Sequence, residues 1–358
     1  MSKKVKIFAV TICVMLLIPI MSGCVGNDTA KKIGIFMPTK SEPRWTQDSD
    51  SLMRQLQAKG YKVDIKNAEG SVDMQISQID AMIEEGVNIL VIAAIDGSSL
   101  TDILSKAAGK KIKVIAYDRL IMDSQNVDYY VTFDNFEVGR MQGEYIEKAL
   151  GLTAPGAGSF NIELFAGALT DNNAYFFYDG AMSVLQKYID NGKLVVRSNQ
   201  IDITDVTIAE WSGANAARRM TELLNTYYGD SELHAVLSPN DGLAAGIIDA
   251  LASFGLWGGG KPFPILTGQD SDIANIKAML RGEQSMTIFK DTRTLADRTF
   301  RMIDDILLDK TPETNDQVTY NNNVKTVPTY MCKPVLVTKD NYKSILIDSG
   351  YYDSSVFD

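Results

Sequence analysis

Histidine is almost absent from this chain of 358 residues, in which His234 is the single example. Many zinc sites and most hydrolytic triads depend on histidine as a ligand or as a general base. One histidine therefore excludes most histidine-based metal sites and histidine-dependent triads. We predict a protein without a metal and without a cofactor.

Cysteine is scarce as well, since the chain contains only Cys13, Cys24 and Cys332. Cys13 is expected to leave with an N-terminal signal segment and Cys24 to carry a lipid, so no intramolecular disulfide is expected in the mature chain. Cys332 lies in an apolar, strand-like run, where an unpaired cysteine usually serves as a small buried hydrophobe.

Basic runs are missing too. No run is longer than two residues, as at Lys3-Lys4, and the formal net charge is −10 with a pI near 4.8. Nucleic acids and anionic membrane surfaces both attract patches of lysine and arginine. The composition therefore argues against nucleic acid as a partner.

The apolar run over residues 7–20 is shorter than the roughly 20 residues that a transmembrane helix needs. It follows Lys3, Lys4 and Lys6, an arrangement typical of a secretory signal. Residues 21–24 (MSGC) resemble a bacterial lipobox, although Met21 stands where leucine is usual.

The lipobox resemblance predicts a lipoprotein signal peptide over residues 1–23, lipidation of Cys24, and a lipid-anchored tether over residues 24–31. Two acyl chains on Cys24 would suffice for stable anchoring. The alternatives are a soluble export signal with a coincidental cysteine, or a short uncleaved anchor. We expect an extracytoplasmic protein, held on the outer face or the periplasmic side of a bacterial cell membrane.

From residue 32 onward the pattern alternates between short β-rich runs and helical stretches. In one stretch Val72, Ile76, Ile79 and Ile83 share a helical face. The predicted strands of this first half cover residues 32–37, 61–65, 87–95, 113–117 and 129–133.

The rhythm restarts after a turn-rich bridge at residues 152–158. Predicted strands follow at residues 159–165, 194–197, 235–237, 265–267 and 285–289. Length and rhythm together predict an α/β protein with doubly wound parallel sheets and about two domains. Two such lobes with a pocket between them imply a hinged cleft.

Polar clusters follow the predicted strands at the points where helices begin. In α/β sheets, ligands bind beyond the carboxyl ends of the strands. The pattern therefore predicts one polar pocket built from distant parts of the chain. The clusters include Lys40, Arg44 and Trp45 after the first strand, Asp118 and Arg119 after the fourth, Asn240 and Asp241, and Gln269 and Asp270.

Six motifs, taken in order, give the chain a resemblance that extends over residues 32–352. It resembles the periplasmic sugar-binding proteins of ABC importers, ribose/galactose type, and most of all the xylose-binding and multiple-monosaccharide-binding receptors. The motifs are residues 38–45 (PTKSEPRW), 115–121 (IAYDRLI), 132–135 (TFDN), 171–173 (DNN), 268–270 (GQD) and 289–291 (FKD).

This resemblance implies the type I periplasmic-binding-protein fold, with two Rossmann-like lobes joined by a three-crossing hinge. The crossings are expected near residues 133–135, 290–292 and 327–331. Periodicity alone suggests a single boundary near residue 155, and the resemblance overrides it. The implied N-terminal lobe is residues 32–134 plus 291–328, and the implied C-terminal lobe is residues 135–290 plus 329–358.

A pyranose needs charged or amide groups around its edge and flat apolar rings against its faces. Arg119 would donate to adjacent hydroxyls and Asp118 would accept from them, unless the two form only a local salt bridge. Arg44 would be a further contact and Trp45 a stacking wall, unless they are a solvated arginine and a core aromatic. Lys40 and Glu42 lie near the same edge, with surface charge as the alternative for both.

In the second half, the resemblance implies ligand contacts at Trp211, Asn240, Asp270 and Lys290, with Trp211 as a stacking aromatic. Asn173 is expected to reach the ligand, while Asn172 or Asp171 caps the following helix. Asp241 is expected to be the cap of its helix, and Phe176 and Phe177 are expected in the helix core.

The implied function is capture of an aldopyranose such as xylose, glucose or galactose in the inter-lobe cleft, and delivery to the permease subunits of an ABC importer. One alternative is a sugar sensor that presents its ligand to a membrane chemoreceptor or sensor kinase. The other is a carbohydrate-active enzyme that uses Asp118 and Asp270. Arg119 and Lys290 argue against the enzyme, because they would keep both carboxylates ionised. We expect a monomer.

Overall fold

A computed structural model describes residues 30–255, 257 and 261–357 of the chain. The predicted signal peptide, Cys24 and most of the tether lie outside the described residues. Within those residues, no helix combines the length and the apolar composition that crossing a membrane requires.

The strands alternate with helices along most of the chain. They are β1 (Lys32–Met37), β2 (Lys62–Asn67), β3 (Ile89–Ile92), β4 (Lys113–Tyr117), β5 (Tyr129–Phe133), β6 (Phe160–Leu164), β7 (Leu194–Val196), β8 (Ala235–Leu237), β9 (Ile265–Leu266), β10 (Thr287–Phe289), β11 (Thr329–Cys332) and β12 (Val335–Val337).

The helices connect these strands. They are α1 (Pro43–Ala58), α2 (Val72–Glu84), α3 (Thr101–Gly109), α4 (Asn135–Ala149), α5 (Asn173–Asp190), α6 (Ile203–Val206), α7 (Gly213–Tyr227), α8 (Asp241–Phe254), α9 (Ile273–Arg281) and α10 (Thr292–Leu307). Shorter helical turns cover Ala209–Trp211, Lys343–Ile347 and Ser354–Phe357.

Two parallel sheets organise the fold, so the predicted α/β class is confirmed. The first has the order β11-β5-β4-β3-β1-β2 and the second the order β7-β6-β8-β9. The strand β10 departs from the expected rhythm, because it pairs antiparallel with β12 in a separate two-stranded ladder.

Each face of the first sheet is covered by its own apolar cluster. Along β1, Ile33 and Ile35 point into the cluster that contains α1 and α10, whereas Phe36 points into the cluster that contains α2 and α3. This alternation follows from the two-residue period of a strand. It fixes which way the side chains at the end of β1 face.

The chain passes between the two sheets three times. It leaves the first sheet after Phe133, and returns at Thr292 to place α10 beside α1. It leaves again after Cys332, the last residue of β11, because β11 pairs with β5 in the first sheet. This strand begins just past residue 328, where the N-terminal lobe was predicted to end. The lobe boundaries themselves stay a prediction.

Helices α4 and α5 approach unusually closely through three glycines. A Cβ atom on Gly139 would lie 1.9 Å from the Phe177 carbonyl oxygen, and one on Gly180 would lie 2.1 Å from that of Phe136. Gly143 faces Ala181 in the same way. Only glycine permits this backbone contact. The contact holds the first residues of both helices at the carboxyl ends of the strands.

Candidate functional site

The carboxyl ends of β1, β4, β8, β9 and β10 and the start of α5 surround a small cavity of about 20 Å³, which has room for about one water molecule. This volume is well below the range typical of small-molecule sites, so a ligand would enter only when the surrounding side chains move apart. Its lining consists of Glu42, Arg44, Trp45, Asp118, Arg119, Asp171, Asn173, Phe177, Trp211, Asn240, Gln269, Asp270 and Lys290.

The structure brings most of the predicted contact residues together and leaves one out. Lys40 is exposed and does not line the cavity. It lies in the turn between β1 and α1, where its backbone N–H is 3.4 Å from a Glu69 carboxylate oxygen. The predicted residues that do line the cavity are Arg44, Trp45, Asp118, Arg119, Asn173, Trp211, Asn240, Asp270 and Lys290.

Arg44 joins acids that follow strands of different sheets. Its Nη2 donates to Asp118 Oδ2 at 2.6 Å and to Asp48 Oδ2 at 3.3 Å, and its Nη1 donates to Asp270 Oδ1 at 3.2 Å. The Arg44 Nε atom is buried and has no hydrogen-bond partner. Charge-assisted bonds of this kind are among the strongest that proteins form. The guanidinium therefore ties the two halves of the site together.

Asp48, a hydrogen-bond partner of Arg44, is itself held in place by a buried tyrosine. The Tyr117 hydroxyl donates to Asp48 Oδ1 at 2.5 Å, and both side chains are fully buried. Burial raises the pKa of Asp48 to about 7, although the Arg44 charge opposes that rise. This second layer restricts the orientation of the guanidinium.

Lys290 supplies a second cation to the Asp270 carboxylate, with Nζ 3.0 Å from Oδ1. At Asp118, burial by itself would raise the pKa, but the Arg44 and Lys290 charges outweigh burial and lower it. An acid held ionised in this way accepts hydrogen bonds and is poorly suited to donate a proton as a general acid.

Arg119 forms a contact between the halves and not the local salt bridge with Asp118. Its Nε lies 3.1 Å from Asp171 Oδ2, and its Nη1 donates to the Ala94 carbonyl at 3.2 Å. Burial raises the pKa of Asp171, with the Arg119 charge acting in the opposite direction.

Trp45 and Trp211 supply aromatic walls. The guanidinium carbon of Arg44 lies 4.5 Å and that of Arg119 5.2 Å from the centre of the buried Trp45 ring, whose Nε1 donates to Glu42 at 3.0 Å. The half-buried Trp211 rests against Gly167, where a Cβ atom would lie 2.1 Å from its ring. Small residues and rings of this kind leave flat apolar faces toward a ligand.

The backbone of Asp118 is held in a left-handed conformation, with φ of 60°. Its carbonyl oxygen accepts from the Tyr130 hydroxyl at 2.6 Å, from Thr132 Oγ1 at 3.0 Å and from Asn173 Nδ2 at 2.8 Å. Asn173 Oδ1 in turn accepts from Asn135 Nδ2 at 2.9 Å. The Asn173 amide thus connects Asp118 to the start of α4 and retains one N–H for the cavity.

The helix caps differ in part from the prediction. Asn240 caps α8, since its Oδ1 accepts from the Leu243 N–H at 3.0 Å, and Asp241 is the buried first residue of that helix. The prediction of Asp241 as the cap was therefore wrong. At α5, Asp171 Oδ1 accepts from the Asn173 N–H at 2.9 Å, which agrees with one of the two expected caps.

Asp171 and Phe177 line the cavity, although neither was predicted as a ligand contact. Glu42, expected near the pocket edge or as surface charge, lines it too, and so does Gln269. Phe177 was expected in the helix core, and it both packs there and reaches the cavity. Gln269 belongs with Asp270 to a predicted strand-end cluster, but no ligand contact was assigned to it. Its Oε1 is buried and has no hydrogen-bond partner.

Within the described residues, no three histidine, cysteine, aspartate or glutamate side chains are grouped so that they could hold a metal ion. The acids of the cavity are instead neutralised by arginine and lysine. The arrangement suits recognition of an uncharged, hydroxyl-rich molecule.

A family model described as periplasmic binding protein domain matches residues 33–311. The chain is 52% identical over 325 residues to the multiple sugar-binding periplasmic protein SbpA of Azospirillum brasilense, covering 91% of this chain and 90% of that protein. It is 34% identical over 352 residues to the D-xylose-binding periplasmic protein of Escherichia coli, covering 98% of this chain and 99% of that protein.

Two of the solved structures that match are similar to this chain in both sequence and fold. An ABC transporter solute-binding protein from Clostridium phytofermentans with bound β-D-glucose has a TM-score of 0.88 and 48% identity, covering 92% of this chain and 100% of that one. A carbohydrate transporter solute-binding protein from Chloroflexus aurantiacus in complex with D-glucose has a TM-score of 0.82 and 36% identity, covering 92% and 99%.

Proposed function

The chain belongs to the family of periplasmic binding protein domains, and from that premise we propose that it captures a monosaccharide and delivers it to an ABC importer. The proposed ligand is an aldopyranose such as xylose, glucose or galactose. One observation carries the proposal: strand ends of two sheets place acids, cations and two tryptophans around a single cavity. The names of the relatives and the glucose-bound neighbours point to the same ligand class.

The cavity can satisfy the hydroxyl groups of a pyranose from all sides. Asp118 and Asp270 would accept from hydroxyls, while Arg119, Asn240 and Lys290 would donate to them. The unpartnered atoms Arg44 Nε, Trp211 Nε1 and Gln269 Oε1 are buried beside this space. Leaving such atoms unpaired costs about 1–3 kcal/mol each, so pairing with a ligand would be favourable.

Ring faces would bind to aromatic walls. Trp45 and Trp211 offer flat apolar surfaces to the C–H groups of a sugar, and Phe177 adds a third ring at the cavity edge. Several charged hydrogen bonds and stacked faces together can reach a Kd near or below micromolar, which corresponds to about −8 kcal/mol.

We propose that the three passages of the chain between the sheets form the hinge of two lobes. The pairing of β11 with β5 supports an N-terminal lobe that ends at Cys332. A ligand that bridges the lobes favours the closed state by its differential affinity for that state. The permease subunits of the importer would then recognise the closed shape.

The proposed location is extracytoplasmic, as the periplasmic relatives suggest. We further propose that Cys24 carries a lipid anchor and that the protein acts as a monomer. Labelling cells with a radioactive fatty acid would test the anchor, and a Cys24→Ser chain that still took up label would contradict it.

The sugar assignment is tested by a thermal-shift screen of monosaccharides followed by calorimetry. Asp270→Ala should remain folded and lose at least tenfold in affinity, because a charged hydrogen bond contributes about 1.5–3 kcal/mol. Lys40→Ala is the matched control, since Lys40 is exposed outside the cavity. A sugar affinity of Asp270→Ala equal to that of the parent would contradict the assignment.

Incubation with nitrophenyl glycosides separates the receptor from a glycosidase. The receptor binds free monosaccharide tightly and releases no nitrophenol. Steady nitrophenol release that disappears in Asp118→Asn or Asp270→Asn would support the enzyme instead.

A further inference from the structure

We propose that Asp241 is a positioning residue for Asp270: it fixes the loop between β9 and α9 in the conformation that presents the Asp270 carboxylate to the cavity. Asp241 itself does not line the cavity. The inference rests on the proposed function insofar as Asp270 is a sugar contact. Its structural part concerns the loop alone.

The backbone of this loop is strained at Asp270 and at the residue that follows it. Asp270 has φ of 98° and Ser271 has φ of 59°, both in the region that side chains disfavour. Such backbone conformations are unfavourable and persist only where their surroundings over-determine them. The surroundings of this loop should therefore contain the groups that hold it.

Asp241 holds the loop on both sides of Asp270. Its backbone N–H donates to the Gln269 carbonyl at 3.0 Å, and its Oδ2 accepts from the Asp272 N–H at 2.9 Å. The side chain is fully buried. One residue thus bonds to the position directly before Asp270 and to the position two residues after it.

The carboxylate is itself fixed by neighbouring donors. Gln284 Nε2 donates to Oδ1 at 2.8 Å and Thr287 Oγ1 to Oδ2 at 3.1 Å. Thr287 Oγ1 also accepts from the Ser271 N–H at 3.2 Å, which gives the loop a third attachment through β10. Both oxygens therefore accept from donors, while burial and the nearby Asp272 and Asp270 charges raise the pKa of Asp241 well above its ordinary value.

Gly268 shows how closely the carboxylate lies against the loop. A Cβ atom at Gly268 would lie 2.1 Å from Asp241 Oδ1 and 2.4 Å from Gln284 Nε2. From the far side, Gln142 Nε2 donates to the Gly268 carbonyl at 3.0 Å. The loop is therefore held between α4 and the start of α8.

The test is a double-mutant cycle of Asp241→Asn and Asp270→Asn. Asparagine keeps the shape of the Asp241 side chain, but an NH2 group replaces one of the two carboxylate oxygens. That NH2 group can only donate, and it would face other hydrogen-bond donors. Asp241→Asn should weaken sugar binding about tenfold when Asp270 is present, and much less when Asp270 is already asparagine. Asp249→Asn, at an exposed position of α8, is the matched control and should bind as the parent does.

The inference would be overturned if Asp241→Asn weakened sugar binding by the same factor in the parent and in Asp270→Asn. A general loss of structure acts in this way, because it is independent of Asp270. Full affinity in Asp241→Asn would overturn it as well. If Asp241→Asn does not fold, Thr287→Val replaces it in the cycle, since it removes the hydroxyl that connects Asp241 to Ser271 and keeps the volume.

The same cycle measured by urea unfolding without sugar separates this inference from the proposed function. Coupling between the two substitutions is expected there too, because Asp241 holds Asp270 beside Lys290 and Arg44. A parent that binds no monosaccharide but shows this coupling would refute the sugar assignment and support the positioning role. Additive unfolding effects would refute the positioning role.

Discussion

Gly139→Ala should separate two helices at the back of the site. The new Cβ atom would lie 1.9 Å from the Phe177 carbonyl oxygen and 2.9 Å from the Ala181 nitrogen, whereas real contacts stay above 3.0 Å. The backbones of α4 and α5 must therefore move apart by about 1 Å. The clashing atoms belong to the backbone, so no rotamer change can relieve them.

The size of the effect is a balance of two contributions. Overpacking a well-packed contact costs about 1–3 kcal/mol, and a backbone clash belongs at the upper end. Replacing glycine by alanine within a helix returns up to about 1 kcal/mol. We expect a net loss of about 1–2 kcal/mol in the free energy of unfolding.

Urea unfolding followed by circular dichroism measures that loss. Gly109→Ala in α3 is the matched control, because no atom lies within 4 Å of its new Cβ, and it should be neutral or slightly stabilising. Sugar affinity should fall in Gly139→Ala, since the movement stretches the 2.9 Å bond from Asn135 to Asn173. Equal stability of Gly139→Ala and the control would refute the reasoning.

Two further predictions concern the site. Burial raises the pKa of Asp48 from 3.8 to about 7, so the folded state holds the proton more tightly and stability falls as the pH rises through this interval, by up to about 1.4 kcal/mol per unit. Asp48→Asn should flatten the profile of urea midpoints between pH 5 and 7.5, and an unchanged slope would count against it. Sugar binding should change the intrinsic fluorescence, since Trp45 and Trp211 line the cavity. Trp211→Phe should remove a large part of that change, and an unaltered signal would place the ligand elsewhere.

The sequence predicts the site largely because a parallel sheet gathers the ends of its strands at one edge. That rule alone places Asp118, Arg119, Asn240 and Asp270 around one cavity. It fails for Lys40, because the turn before α1 carries that residue to the surface. How far a side chain lies from the strand end is decided by turn geometry, which strand periodicity does not specify.

Partner choice is the part that sequence could not supply. Arg119 stands beside Asp118 in the chain but pairs with Asp171, which arrives from the other half. Asn240 and Asp241 are both good capping residues, and only the helix start at Asp241 decides between them. Likewise β10 pairs with β12, a strand far along the chain that local pattern does not connect to it.

The three carboxylates around Arg44 have a consequence for transport rate. The same guanidinium bonds to Asp118 after one sheet and to Asp270 after the other. In the proposed two-lobe arrangement it would therefore contribute both to ligand recognition and to how long the cleft stays closed. A binding protein must release its ligand once it has docked on the importer. Release that is too slow limits delivery as much as weak binding does. Substitutions at Arg44 are therefore expected to change capture and release together, and flux through the importer would peak at an intermediate strength of this contact.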